Sequence, residues 1–76
     1  MEKGRVVKSL AGRDKGAFFA VVDFDNIYCF LVDGDLRKLE KPKKKKIKHV
    51  SETKIVLSND CFLGNKRLKE SLKRFA

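Results

Sequence analysis

Two apolar segments only four residues apart, AFFAVV at residues 17–22 and IYCFLV at residues 27–32, constrain the fold of this chain most strongly. Both are rich in β-branched and aromatic residues. With their flanking residues they predict strands at 17–24 and 27–33, because such side chains favour extended structure. Asp25-Asn26 between them predicts a two-residue hairpin turn. The first half of the chain is therefore expected to be all β.

This hairpin would carry apolar side chains on both of its faces. One face is expected to form the barrel interior, and the other must also be covered, since an apolar sheet face is not left in water. The interior pairs predicted are Ala20 with Leu31, Val22 with Cys29 and Phe24 with Ile27. The pairs predicted on the other face are Asp23 with Tyr28, Val21 with Phe30 and Phe19 with Val32.

The C-terminal segment is the candidate cover for the second face. Leu68, Leu72 and Phe75 recur at the spacing of one helix stripe, and Gly64-Asn65 gives a start signal, so residues 65–76 are predicted to form an amphipathic helix. A second subunit is the other possible cover. A monomer is expected, and a dimer stays open.

Three further strands are predicted at residues 5–10, 47–50 and 54–57. Pro42 and the four lysines after it predict a mobile basic loop over residues 36–48. The predicted fold class is mainly β: a small, partly open five-stranded barrel with a C-terminal helix. The single domain expected for a chain this short spans residues 1–76, with the barrel in residues 1–58.

The charge of the chain is strongly positive, with 19 Lys and Arg against 10 Asp and Glu and a formal charge of +9. Such a surface attracts polyanions: nucleic acid, anionic membrane or acidic protein. The apolar runs are far shorter than the ~20 residues of a membrane span, and Met1-Glu2-Lys3-Gly4 begins no secretory signal, so no membrane partner is expected. Cys29 and Cys61 lack neighbouring ligands, so no zinc, disulfide or other cofactor is expected, and a reduced, cytoplasmic location fits.

Two segments concentrate the cations. Arg13-Asp14-Lys15, bounded by Gly12 and Gly16, is expected to turn tightly and to present backbone N–H groups and cationic side chains outward, which suits phosphate oxygens. Residues 37–48 hold eight cations and one acid. Like charges at this density repel each other unless a polyanion relieves them. A charged surface that only keeps the domain in solution is the alternative interpretation of both segments.

Residues 4–24, GRVVKSLAGRDKGAFFAVVDF, resemble a KOW motif, which is a strand, a basic loop closed by a glycine, and a second apolar strand. Gly16 matches the defining glycine of the motif. The similarity continues through LVDG at residues 31–34 and, less closely, to KHV at residues 48–50, and it is to the KOW ribosomal proteins of the archaeal and eukaryotic large subunit. The resemblance implies an SH3-like barrel that binds RNA, often ribosomal RNA, through loops that meet the phosphate backbone.

The function expected is that of a non-catalytic protein that contacts the phosphate backbone of structured RNA, with ribosomal or ribosome-associated RNA as the target and a role in translation. The resemblance assigns Arg5, Arg13, Lys15 and Gly16 to RNA, and the charge density adds the Lys and Arg residues of the basic segment. His49 follows these lysines and is included as a residue that stacks on a base or touches phosphate. The candidate RNA-binding residues are Arg5, Arg13, Lys15, Gly16, Arg37, Lys38, Lys43, Lys44, Lys45, Lys46, Lys48 and His49.

Other functions stay open. A small barrel can hold a peptide at an edge strand or an aromatic pocket, and KOW domains also occur in transcription elongation factors, so a protein-interaction module and a DNA-binding domain are alternatives. No nucleophile setting and no phosphate-binding Walker loop is present, so neither an enzyme nor a small-molecule substrate is expected. Tyr28 either packs across the hairpin or forms an exposed stacking platform, and Phe18 is open between the core and the surface.

Overall fold

The computed structural model describes residues 1–75 and contains one antiparallel sheet of five strands in the order β4-β3-β2-β1-β5. The sheet is not closed, because β4 and β5 are both outer strands. This confirms the predicted fold class, a mainly β chain that forms a small, partly open barrel. No helix within residues 1–75 is long and apolar enough to cross a membrane. The strands are β1 Arg5–Ser9, β2 Phe18–Phe24, β3 Tyr28–Val32, β4 Lys43–Lys46 and β5 Val50–Val56.

β4 consists of the four successive lysines, and the prediction of a mobile loop there is wrong. The strand pairs antiparallel with β3, from Lys43 opposite Leu31 to Lys46 opposite Tyr28. An outer strand tolerates charged side chains well, and lysines at a sheet edge also prevent pairing with another chain.

The segment after β4 also differs from the prediction. Ile47–His49 forms a single 3-10 turn rather than a strand, and β5 then runs without interruption from Val50 to Val56. Ile47 donates its N–H to the carbonyl of Ile27 at 2.8 Å, so the turn is joined to the end of the β2–β3 hairpin. The number of strands was predicted, but the positions of the last two were not.

The β2–β3 hairpin turn is longer than the two residues predicted. The Asp25 carboxylate accepts hydrogen bonds from the N–H groups of Tyr28 and Ile27, at 2.7 and 2.8 Å, which lower the pKa of Asp25. A bulge between Val21 and Asp23 then shifts the register again. The predicted cross-strand pairs are therefore wrong, and those observed are Ala20 with Val32, Val21 with Leu31, Asp23 with Phe30 and Phe24 with Cys29.

The observed register changes which β2 side chains fill the barrel. Phe19 and Val21 lie in the interior, whereas Ala20 and Val22, which were predicted there, belong to the face under the helix. The interior cluster consists of Val7, Phe19, Val21, Cys29, Leu31 and Val50, with Met1 and Ile47 packed against it. The helix-side cluster consists of Val6, Ala20, Val32, Leu57, Leu68 and Leu72, with half-buried residues that include Phe18, Val22 and Phe75 around it.

Helix α1, Asn65–Leu72, covers the second face of the sheet, as predicted, and Lys73–Phe75 continues it as a 3-10 turn. Leu68 is fully buried, which contributes about 2 kcal/mol. The helix was predicted to reach Ala76, which lies outside the described residues. The Phe18 ring packs 5.6 Å from the Phe75 ring, so Phe18 serves the packing of the helix.

Gly34 sets how closely α1 approaches the sheet. Its φ is +79°, a value that favours glycine, and a Cβ at this position would overlap the carbonyl of Asn65 and lie 2.9 Å from the backbone nitrogen of Lys69. The β3–β4 connection is thus pressed directly against the start of the helix. The helix leaves the Tyr28 end of β3 uncovered, since Val32 is the β3 residue that it packs against.

Candidate nucleic-acid interface

The four lysines of β4 form two pairs, because successive side chains of a strand point to opposite faces. Lys43 and Lys45 point toward the β1–β2 loop, residues 10–17, and the Lys45 side chain is only 8% exposed. Lys44 and Lys46 are exposed on the opposite face. The four lysines are identical in sequence, but two of them face the loop and two of them face solvent.

Asp14 binds both inward lysines. Its Oδ2 accepts a hydrogen bond from Lys43 Nζ at 2.8 Å, and its Oδ1 accepts one from Lys45 Nζ at 2.7 Å. Lys45 Nζ also donates to the carbonyl of Ala11 at 2.7 Å, and the Ser9 hydroxyl lies 2.7 Å from Asp14 Oδ1. We call the group formed by Ser9, Asp14, Lys43 and Lys45 the Asp14 anchor.

The Asp14 anchor is a partly buried ion network. Burial by itself would raise the pKa of Asp14, but the hydrogen bonds from Lys43, Lys45 and Ser9 outweigh it and hold the pKa well below its ordinary value. The Asp14 side chain is 16% exposed, so its ion pairs are screened less than those on an open surface. Two of the candidate RNA-binding lysines are thus engaged inside the protein.

The conformation of the β1–β2 loop is stabilised by its two glycines and by backbone hydrogen bonds. Gly12 and Gly16 have φ values of +84° and +90°, which glycine adopts without strain. The N–H groups of Lys15 and Gly16 donate to backbone carbonyls at 3.2 and 2.8 Å. The expectation that the loop presents its backbone N–H groups outward is therefore wrong at these two positions. The side chains of Arg13 and Lys15 are exposed, so the cations of this loop reach solvent.

A shallow hollow lies between the loop and the outward face of β4, and we call it the basic hollow. The ammonium of Lys44 sits 4.2 Å from the centroid of the Tyr28 ring, a cation–π contact. The carbonyl of His49 accepts a hydrogen bond from the N–H of Leu10 at 2.8 Å, which ties the 3-10 turn to the loop. The two basic segments therefore meet on one side of the barrel. The lining residues are Ala11, Gly12, Tyr28, Lys44, Lys45, Lys46 and His49.

Lys48 extends the same side of the molecule beyond the basic hollow. Its side chain is exposed and lines a second depression, together with Lys46, Ile47 and the tip of the β2–β3 hairpin. The cations on this side therefore continue along β4 to the hairpin tip.

Arg5 lies apart from this surface. It stands at the opposite end of β1 from the loop, where its guanidinium is 3.1 Å from Glu2 and 3.6 Å from Glu52 and donates to the carbonyl of Thr53 at 3.1 Å. The guanidinium thus joins β1 to β5 and to the N-terminal residues. These contacts within the protein explain why an arginine stands at position 5, and no contact with a ligand is needed to explain it.

Arg37 and Lys38 are exposed in the connection between β3 and β4, on the side of the helix. The N–H of Arg37 donates to the Asp33 carboxylate at 2.8 Å, and the N–H of Leu39 donates to the Asn65 side chain at 2.8 Å. No hydrogen bond or ion pair within residues 1–75 joins Arg37 or Lys38 to the β1–β2 loop.

Sequence reasoning missed the role of Asp14 and the position of Tyr28. Asp14 was considered only as part of the turn between Gly12 and Gly16, whereas it binds lysines 29 and 31 residues away. Tyr28 was paired with Asp23, but its partner is Lys46. The available signal was the alternation that any strand imposes, since a strand of four lysines must turn two of them inward.

Comparison with known protein families and with curated proteins finds no match to this chain. Residues 1–75 contain no group of three or more His, Cys, Asp or Glu side chains that could hold a metal ion.

Proposed function

We propose that this protein is a non-catalytic RNA-binding protein that contacts the phosphate backbone of structured RNA, with ribosomal or ribosome-associated RNA as its target. The observation that carries the proposal is the meeting of the β1–β2 loop with the outward lysines of β4 at the basic hollow. Phosphate contacts of this kind position a protein on RNA and read its shape more than its sequence.

The cations of the surface support this proposal because they are free for a ligand. Arg13, Lys15, Lys44 and Lys46 are exposed, and none of them forms an ion pair with a carboxylate within residues 1–75. Two inward lysines already neutralise Asp14, so this acid does not mask the outward pair. An RNA strand that lies along β4 would therefore meet ammonium groups that form no ion pair with a carboxylate of residues 1–75.

The rigidity of the surface supports it as well. Lys45 binds both Asp14 and the carbonyl of Ala11, so it fastens the loop to β4. A surface that is ordered before binding loses less conformational entropy when the ligand arrives. The Asp14 anchor thus acts as a scaffold for the phosphate contacts rather than as one of them.

The test removes the outward charge and leaves the anchor intact. In the Lys44→Gln, Lys46→Gln double variant, affinity for a fluorescein-labelled RNA hairpin with a uridine loop should fall about 10- to 30-fold at physiological salt, measured by fluorescence anisotropy. The slope of log K against log salt should fall by about 1.4 to 1.8, since two phosphates are no longer neutralised.

The matched control is the Lys66→Gln, Arg67→Gln double variant, which loses the same charge from the exposed side of α1. If RNA binding depends on the β4 surface, the control should keep its affinity within about threefold and lose less of its salt slope. Equal losses in the two variants would show that only the total charge matters and would contradict the proposed surface. A competition with DNA of the same sequence separates RNA from DNA binding.

A protein partner is the second candidate, and β5 favours it. β5 is an outer strand with one neighbour, and its last residues, Ile55 and Val56, are 38% and 41% exposed. An extended peptide can add to such an edge. Binding through β5 would survive several hundred millimolar salt and nuclease treatment, whereas phosphate contacts on β4 would weaken steeply with salt.

A further inference from the structure

The outward face of β3 carries two aromatic rings that neither core uses. Tyr28 and Phe30 are half-buried, and they alternate with Cys29 and Leu31, which are fully buried in the interior cluster. Neither Tyr28 nor Phe30 belongs to the interior cluster or the helix-side cluster. Packing therefore does not account for two aromatic rings at this end of the strand.

Lysines surround these rings. Lys46 is the direct cross-strand partner of Tyr28, and Lys44 is that of Phe30. The Lys44 ammonium also lies over the Tyr28 ring, at 4.2 Å from its centroid. Aromatic rings interleaved with cations on a strand face are the arrangement by which proteins bind single-stranded nucleic acid, with bases stacked on the rings and phosphates on the cations.

We propose that Tyr28 is a stacking platform for an unpaired RNA base, with Lys44 and Lys46 on the flanking phosphates. This proposal rests on the proposed function and narrows it: the RNA segment at the basic hollow is single-stranded, as in a loop, a bulge or a strand end. A duplex cannot supply this contact, because the faces of its bases are already stacked inside the helix.

Lys44 has a defined part in this event. Lys44 covers one face of the Tyr28 ring, so a base that stacks on this face displaces the ammonium. The cation–π interaction that this exchange breaks is weak at an exposed site, and the phosphate of the same nucleotide is a stronger partner for the ammonium. Stacking and phosphate binding are therefore coupled at this position.

The test compares ligands that differ only in whether they carry bases. A fluorescein-labelled oligouridine supplies phosphates and unpaired bases, and inorganic polyphosphate, measured by competition, supplies phosphates alone. Tyr28→Leu keeps apolar volume but lacks an aromatic face, and Tyr28→Phe keeps the face but lacks the hydroxyl. Tyr28→Leu should weaken oligouridine binding about 5- to 150-fold and leave polyphosphate binding within about twofold. Tyr28→Phe should bind both ligands like the parent chain.

Far-UV circular dichroism and the urea midpoint of Tyr28→Leu exclude a loss of fold. If Tyr28→Leu binds oligouridine as tightly as the parent chain does, the platform is refuted, and the proposed function still stands provided that Lys44→Gln, Lys46→Gln weakens binding. Equal losses for oligouridine and polyphosphate would likewise refute stacking. If the parent chain binds neither the hairpin RNA nor oligouridine, the proposed function itself fails.

Discussion

Replacing Asp14 by Asn removes the carboxylate of the Asp14 anchor and leaves the side chain its size. The Lys45 side chain is 8% exposed, and its ammonium would then keep only the carbonyl of Ala11 and a neutral amide as partners. Removing one partner of a fully buried ion pair destabilises a protein by about 3–5 kcal/mol. Lys43 is 27% exposed and can turn to water, so we expect about 2–3 kcal/mol for Asp14→Asn.

Urea unfolding followed by circular dichroism measures this loss. For a domain of this size the slope m is about 1 kcal/mol/M, so the midpoint should fall by about 2 M or more with m unchanged. The control is Glu70→Gln, an equal change of charge on the exposed side of α1, for which we expect less than about 0.5 kcal/mol.

The lowered pKa of Asp14 adds a pH dependence with a defined sign. A carboxyl whose pKa is lower in the folded state than in the unfolded chain contributes stability above the unfolded pKa of about 3.9 and loses it as pH falls toward the folded value. The difference in stability between the parent chain and Asp14→Asn should therefore be constant above about pH 5 and shrink in more acidic solution.

A second substitution distinguishes the buried charge from other causes. Adding Lys45→Met to Asp14→Asn removes the stranded ammonium, and the double variant should regain at least half of the lost stability, because an apolar side chain tolerates burial without a partner. A midpoint for Asp14→Asn within error of that of Glu70→Gln would refute the anchor as described. A double variant that is less stable than Asp14→Asn alone would also refute it.

Two further predictions concern the loop and the helix. Arg13→Glu with Lys15→Glu should weaken binding of the hairpin RNA at least tenfold with an unchanged circular dichroism spectrum, and an unchanged anisotropy titration would remove this loop from the interface. Gly34→Ala should lower the free energy of unfolding by more than about 2 kcal/mol, because its Cβ would overlap the carbonyl of Asn65 and α1 must move away. A urea midpoint for Gly34→Ala equal to that of the parent chain would contradict this close approach.

The parts of the fold that follow from the sequence are those decided by neighbouring residues. The first three strands were predicted to within a residue at either end, because β-branched and aromatic residues cluster there between glycines and acids. The helix begins at Asn65, as its apolar stripe and the preceding Gly64 indicate. That it covers an otherwise exposed apolar face also followed, since a sheet with two apolar faces needs a cover.

β4 could not be predicted in this way. Lysine has a low β-propensity, and four adjacent ammonium groups repel each other, so local rules favour a loop. The strand depends on Asp14, which is close to it only in the folded chain, 29 to 31 residues away in sequence. Because Asp14 engages two of the four lysines, the exposed pair could not be identified without the fold.

The register of the β2–β3 hairpin was predicted wrongly for a different reason. Asp25 accepts hydrogen bonds from two backbone N–H groups, which stabilises a turn longer than the pair Asp25-Asn26 indicates, and a bulge beside Val21 adds a further shift. A change of one residue moves side chains to the other face of a strand. Tyr28 was therefore paired with Asp23, and its position between lysines was not foreseen.

The four side chains of β4 are identical, and this affects how the register of β4 against β3 is set. If β4 slipped by one residue along β3, an ammonium would still face Asp14 and another would still face Tyr28, so the lysines themselves cannot specify where the strand stops. The choice falls to Ile47, which is packed against the interior cluster and has no equivalent within the run. The packing of a single aliphatic side chain just past the lysines thus sets which of them bind Asp14 and which are exposed.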